Sequence, residues 1–146
     1  MFANTAARIG TTESWNTRIE AVQKGGMAAI LDMILARFLS ADFRQQHPEE
    51  TQKIRTMIET THPTGYIGAC AALREADLRA KLHQIRTPSL IIGSALDEST
   101  PPLQSHELHE HIVGSQLHIF DDVAHLSNVE RPNEFSERVL SFVTNA

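Results

Sequence analysis

The stretch SLIIGSALDESTPPLQSHELHEHIVGSQLHIFDDVAH, residues 89–125, decides the fold. SLIIG is a short continuous apolar run, bounded by Pro88 and Gly93, and reads as a buried strand. SALDESTPP is a loop, and Pro101-Pro102 opens a helix over LQSHELHEHI, which Gly114 stops. SQLHIF is a second strand, and beyond the loop PNEFSERVLSFV, residues 132–143, is a closing helix. Strand, loop, helix, strand, loop, helix is a βαβα unit, which builds parallel sheet and predicts an α/β fold.

Working outward, the preceding sequence is helical in pattern. TESWNTRIEAVQKG starts with a cap at Thr12 and ends at Gly25-Gly26. MAAILDMILARFLS spaces Met27, Ile30, Leu31, Ile34, Leu35 and Phe38 for one helix. PEETQKIRTMIETT opens on Pro48 and acids, with Ile54, Met57 and Ile58 on one side. GYIGACAALREAD predicts a fourth helix and LRAKLHQI a short fifth. Residues 1–11 read as the end of a strand and a loop. There is no internal repeat and no low-complexity tract.

Composition narrows the class. A chain of 146 residues with 41% hydrophobic residues can build a real core. A net charge of -5, with acids and bases interspersed, argues against nucleic-acid binding. One cysteine forms no internal disulfide, which suits a reducing, cytoplasmic setting. The opening MFANTAARIG lacks the pattern of a signal peptide, and no apolar run has the length of a membrane span.

In parallel sheets functional side chains gather past the carboxyl ends of strands. Asp97 and His125 both stand there. An acid followed by a histidine is the rear half of a hydrolase triad: the acid orients the imidazole, and the imidazole takes the proton of a nucleophile. The alternative is an ordinary loop acid and a packed loop histidine.

Two stretches, GSALDESTPP and FDDVAHLSNVERPNEFSERVLSFV, resemble the end of an α/β-hydrolase. NTAARIGTTESWNTRIEAV and HPTGYIGACAALREADLR narrow the resemblance to the 3-oxoadipate enol-lactonases. It covers nearly the whole chain. It implies the C-terminal part of an α/β-hydrolase fold, with residues 12–85 as a helical cap and return helix and 86–146 as the βαβα part of the core. It also implies Asp97 and His125 as catalytic residues, a small lactone or ester substrate, and neither cofactor nor metal. Ala124 stands where the family usually has Gly. The family's serine sits in a G-x-S-x-G elbow upstream of the cap, and no G-x-S-x-G occurs in this sequence. The expectation is therefore a chain inactive alone, with an open strand edge near residues 1–4 that self-association or an N-terminal hydrolase half would cover.

Several other residues invite chemistry. GACAA, residues 68–72, mimics an elbow around Cys70, but no buried strand precedes it, and a small residue on a helix is the simpler reading. Ser94 and Ser127 lack an elbow and read as loop hydroxyls. HELHEH, with His106, His109 and His111, is not H-E-x-x-H and reads as a solvated helix face. Trp15 and Arg18 are three apart on the first helix. A guanidinium suits the free carboxylate of the substrate the resemblance implies, and an indole beside it would exclude water. A core Trp with a surface Arg is the equal alternative. A non-catalytic module and a hydrolase of another substrate also remain open readings.

Overall fold

A computed structural model describes residues 1–145. In chain order the elements are β1 (Phe2–Ala3), α1 (Thr12–Gly25), α2 (Leu31–Phe38), α3 (Ala41–Gln46) and α4 (Pro48–Thr60). Then follow α5 (Pro63–Glu75), β2 (Leu90–Ser94), α6 (Pro102–His111), β3 (Gln116–Phe120), α7 (Ser127–Glu130) and α8 (Pro132–Asn145). Short 3₁₀ turns occupy Met27–Ala29 and Arg79–Gln84. They form two compact units: Met1–Ala7 with Leu78–Ala146, and Arg8–Asp77.

The first unit is built on a parallel sheet of order β1-β2-β3, with Phe2 opposite Ile91 and Ile91 opposite Leu117. All five residues of β2 are buried, which is why its sequence is a continuous apolar run rather than an alternating one. Alternation still sorts its side chains by face. Ile91 joins Ala7, Leu82, Leu108 and Ile112 on one side. Leu90 and Ile92 join Phe120 and Val123 on the other, covered by Phe135, Val139 and Phe142 of α8. Gly93 has a packing reason: a Cβ there would lie 2.5 Å from Ser105 Oγ and 2.7 Å from Ile119 Cδ1. Helix α6 can approach β2 closely only because that position carries no side chain.

The helical unit packs α1 along α5, and α2 and α3 against α4. Its buried residues include Trp15, Val22, Ile34, Leu35, Leu39, Phe43 and Cys70. Helix α1 is capped one residue earlier than its sequence suggests. The Thr11 hydroxyl accepts from Ser14 N, and the Ser14 hydroxyl accepts from Thr11 N, a reciprocal capping box. MAAILDMILARFLS is not one helix. Ile30 has φ −121°, so a 3₁₀ turn precedes it and α2 follows. All six apolar positions except half-buried Phe38 are nonetheless buried, because the break keeps them on one side. ADFRQQ forms α3, which has too few residues to show a period. Met57 faces out at 64% exposure, whereas Ile58 is buried. LRAKLHQI is a 3₁₀ helix rather than an α-helix. Among the described residues no helix is long and apolar enough to cross a membrane.

Candidate active site

The site is assembled at the carboxyl ends of all three strands of the first unit. β2 ends at Ser94 and the chain turns at once. Ala95 N donates to Phe120 O at 2.8 Å and Leu96 N to Val123 O at 3.0 Å, so this loop is pinned to β3 and its continuation. The turn delivers Asp97 with a fully buried side chain. One carboxylate oxygen, Oδ1, accepts from Ser99 N at 2.8 Å and Thr100 N at 2.9 Å, closing an Asx turn on the following backbone. The other, Oδ2, accepts from Thr100 Oγ1 at 2.8 Å, Asn4 Nδ2 at 3.1 Å and His125 Nδ1 at 2.8 Å. Burial pushes the Asp97 carboxyl up. The hydrogen bonds from His125, Thr100 N and Asn4, with the charge of His125, outweigh it and hold the group below its ordinary value.

The loop between β3 and α7 brings His125 to that carboxylate. Val123 and Ala124 are buried. Ala124 N donates to Oε1 of Glu130 at 2.9 Å, a carboxylate itself buried. Arg131 pairs with Asp122. The Glu-Arg of ERP therefore clasps the loop from behind, and Pro132 starts α8. The His125 side chain is 20% exposed while that of Asp97 is sealed. An ionised carboxylate can only accept, so the imidazole donates through Nδ1–H, and in the neutral form the lone pair is on Nε2. That is the arrangement of an oriented general base.

The structure brings Asp97 and His125 together, and it adds residues that sequence patterns do not single out. Ser94 and Ser127, read from the sequence as loop hydroxyls, stand at the end of β2 and the start of α7 and are fully buried members of one network. Ser94 Oγ accepts from Asn4 Nδ2 at 2.9 Å, and Ser127 Oγ donates to Asn4 Oδ1 at 2.6 Å. Asn4, Thr100 and Glu130 complete the set. Only Thr100, three residues past the acid, has a local signal, since Asp followed by Ser-Thr favours an Asx turn.

Trp15 and Arg18 belong to the helical unit. Arg18 lies over the Trp15 ring, 4.9 Å from its centroid, and reaches Sδ of Met33 at 3.8 Å. The buried indole donates to Ile9 O at 2.6 Å. Cys70 is buried inside α5, and that burial pushes its thiol up, the opposite of an activated nucleophile. On α6, His109 Nδ1 pairs with Ser115 Oγ and His111 Nδ1 with Glu107 O, each at 2.8 Å.

No protein-family model matches this sequence. The chain superposes on the crystal structure of the enol-lactonase from Burkholderia xenovorans LB400 with a TM-score of 0.94 and 36% identity, over 97% of this chain and 54% of that one. The chain has part of an α/β-hydrolase fold. Among curated α/β-hydrolases, 3-oxoadipate enol-lactonase 1 of Acinetobacter baylyi is 36% identical over 141 residues, which are 97% of this chain and 53% of the relative. A putative carbamate hydrolase RutD of Rhizobium rhizogenes is 40% identical over 73 residues, half of this chain. The chain spans about half the length of the curated α/β-hydrolase relatives it matches.

Proposed function

We propose that this chain supplies the acid–base half of a serine-type hydrolase centre that opens 3-oxoadipate enol-lactone to 3-oxoadipate, a step in aromatic-compound catabolism. The observation that carries this reading is the 2.8 Å contact between His125 Nδ1 and the buried, fully hydrogen-bonded carboxylate of Asp97. The names and identity of the relatives support the substrate.

In this reading the serine comes from the half of the fold that these residues do not span. His125 Nε2 takes the serine proton as Oγ attacks the lactone carbonyl. Asp97 holds the imidazole and stabilises its charged form. The ring C–O bond breaks, and the imidazolium returns a proton to the enolate oxygen, which tautomerises to the ketone. His125 then activates water against the acyl-serine, releasing 3-oxoadipate. The same reading gives the substrate's free carboxylate to Arg18, with Trp15 as its apolar neighbour. The stacked guanidinium supports that role, because a planar fork matches a carboxylate with two parallel hydrogen bonds. No cofactor enters these steps, and the single cysteine fits a reducing cytosol.

The partner surface follows from the same unit. β1 is an edge strand of the sheet. Beside it lies an apolar hollow of about 430 Å³, lined by Phe2, Ala7, Leu78, Leu82, Ile85 and Leu108. An open edge next to apolar surface recruits another segment of protein, and the complementing hydrolase half is the occupant this reading assigns.

The full chain should be co-expressed with an enol-lactonase N-terminal half carrying its G-x-S-x-G elbow. Mass in solution and turnover of the enol-lactone and a p-nitrophenyl ester would then be measured. The expected result is a complex that turns over the lactone, loses activity in His125→Ala, and slows by about 10⁴-fold in Asp97→Asn. A folded complex without turnover, or turnover indifferent to His125→Ala, overturns the reading and leaves a non-catalytic module. Self-association of the chain without uptake of the half would overturn the assignment of the edge.

A further inference from the structure

Asn4 combines three demands that few residues meet. It is the one described non-glycine residue with positive φ, at 45°, in the left-handed region that Asn tolerates better than most side chains. This backbone turn ends β1 after two residues and drops the side chain, itself buried, among the ends of the other strands. Its amide then works in both directions. Nδ2 donates to Asp97 Oδ2 at 3.1 Å and Ser94 Oγ at 2.9 Å, and reaches Ala124 O at 3.5 Å. Oδ1 accepts from Ser127 Oγ at 2.6 Å. The carboxylate can only accept, so the amide's orientation is set by its partners.

We propose that Asn4 is a positioning residue for the Asp97–His125 pair: its side-chain amide locks the carboxylate oxygen that receives His125 and ties the histidine loop, through Ser127, to the end of β1. The inference rests on the reading of Asp97 and His125 as an acid–base pair. An apolar residue at position 4 would strip one donor from Oδ2 and leave the Ser127 hydroxyl to find another acceptor in a buried site. Aspartate would set a second acceptor against the Asp97 carboxylate. Serine is too short to serve both sides. The other carboxylate in the network, Glu130, is held on Ala124 N, so it does not replace the amide. The consequence is a tautomer bias. With Asp97 fixed, the proton of the neutral imidazole stays on Nδ1; with Asp97 free to turn, the Nε2–H form gains population.

The test is imidazole ¹⁵N NMR on the full chain at a pH where His125 is neutral. Asn4→Gly is the informative variant, because glycine keeps the left-handed backbone and removes only the amide. The expected result is a rise of about fivefold in the Nε2–H share of His125, the weight of one buried hydrogen bond, with broadening of the Nδ1–H proton signal. If Asn4→Gly does not fold, Ser127→Ala loosens the same amide without touching the strand end, and should shift the tautomer in the same direction by less. A folded Asn4→Gly, or failing that a folded Ser127→Ala, with the parent's tautomer ratio overturns the proposal and reduces Asn4 to a backbone turn. Asp97→Asn separates the two layers of the argument. It should abolish the Nδ1–H signature altogether, and a signature that survives it would sink the pair itself rather than the role of Asn4.

Discussion

In the sheet-bearing unit Asn4, Ser94, Asp97, Thr100 and Ser127 are buried and joined by hydrogen bonds to one another. In the helical unit Ser40 is the one buried polar side chain among the described residues, and it caps α3 by accepting from Phe43 N. The remaining buried side chains of that unit are hydrophobic, and its ion pairs, such as Arg55–Asp32, have an exposed partner. Burying a polar group costs free energy unless it is hydrogen-bonded. The sheet-bearing unit offsets that cost by pairing five such side chains with one another at one end of its sheet, where His125 meets Asp97. The helical unit follows the ordinary rule of an apolar interior.

The widest contrast should come from Asp97→Ala. It removes the acceptor shared by His125, Thr100, Ser99 and Asn4, and should cost about 3 kcal/mol or more of unfolding free energy in urea. A loss below about 1 kcal/mol would mean that the network is dispensable, and the contrast between the units would fail. The same group makes the difference pH-dependent. Its folded-state pKa is depressed, so its stabilising contribution is complete above the unfolded value of about 3.9 and is lost as pH falls from there through the lower folded value. Urea midpoints of the parent and Asp97→Asn should therefore converge in acid and separate toward neutral pH. A gap that stays constant from neutral pH down to about pH 2 would deny the depressed carboxyl.

Glycines sharpen the comparison with opposite signs. Gly93→Ala should destabilise by about 1–3 kcal/mol, because the new Cβ meets Ser105 and Ile119. Gly68→Ala, inside α5 with nothing within 4 Å of the new Cβ, should stabilise by about 0.5–1 kcal/mol through helix propensity. Equal signs in thermal melts would mean that the two backbones are under the same constraint. The smallest effect belongs to the surface of the helical unit. Asp32→Asn breaks its pair with Arg55 at a site where Asp32 is 86% exposed, and should change stability by less than about 0.5 kcal/mol. A larger loss would mean that this ion pair carries weight the apolar interior does not explain.

Sequence alone determined what depends on neighbours along the chain. The apolar run SLIIG, the Pro-opened helix after it and SQLHIF carry local signals of length, bounding residues and burial, and β2, α6 and β3 appear where those signals place them. Because loops leave parallel strands at one edge, the same reading put Asp97 and His125 at the ends that converge. Tertiary structure decided what depends on residues far apart. Asn4 meets Asp97 across 93 positions and Ser127 across 123, and no periodicity or spacing encodes such a meeting. The break at Ile30 and the outward face of Met57 were likewise settled by packing, which overrides a helical period that both sequences satisfy. Asp97 and His125 are legible because each sits just past its own strand; the side chains that hold them are not, because three strand ends must first be brought together for those contacts to exist.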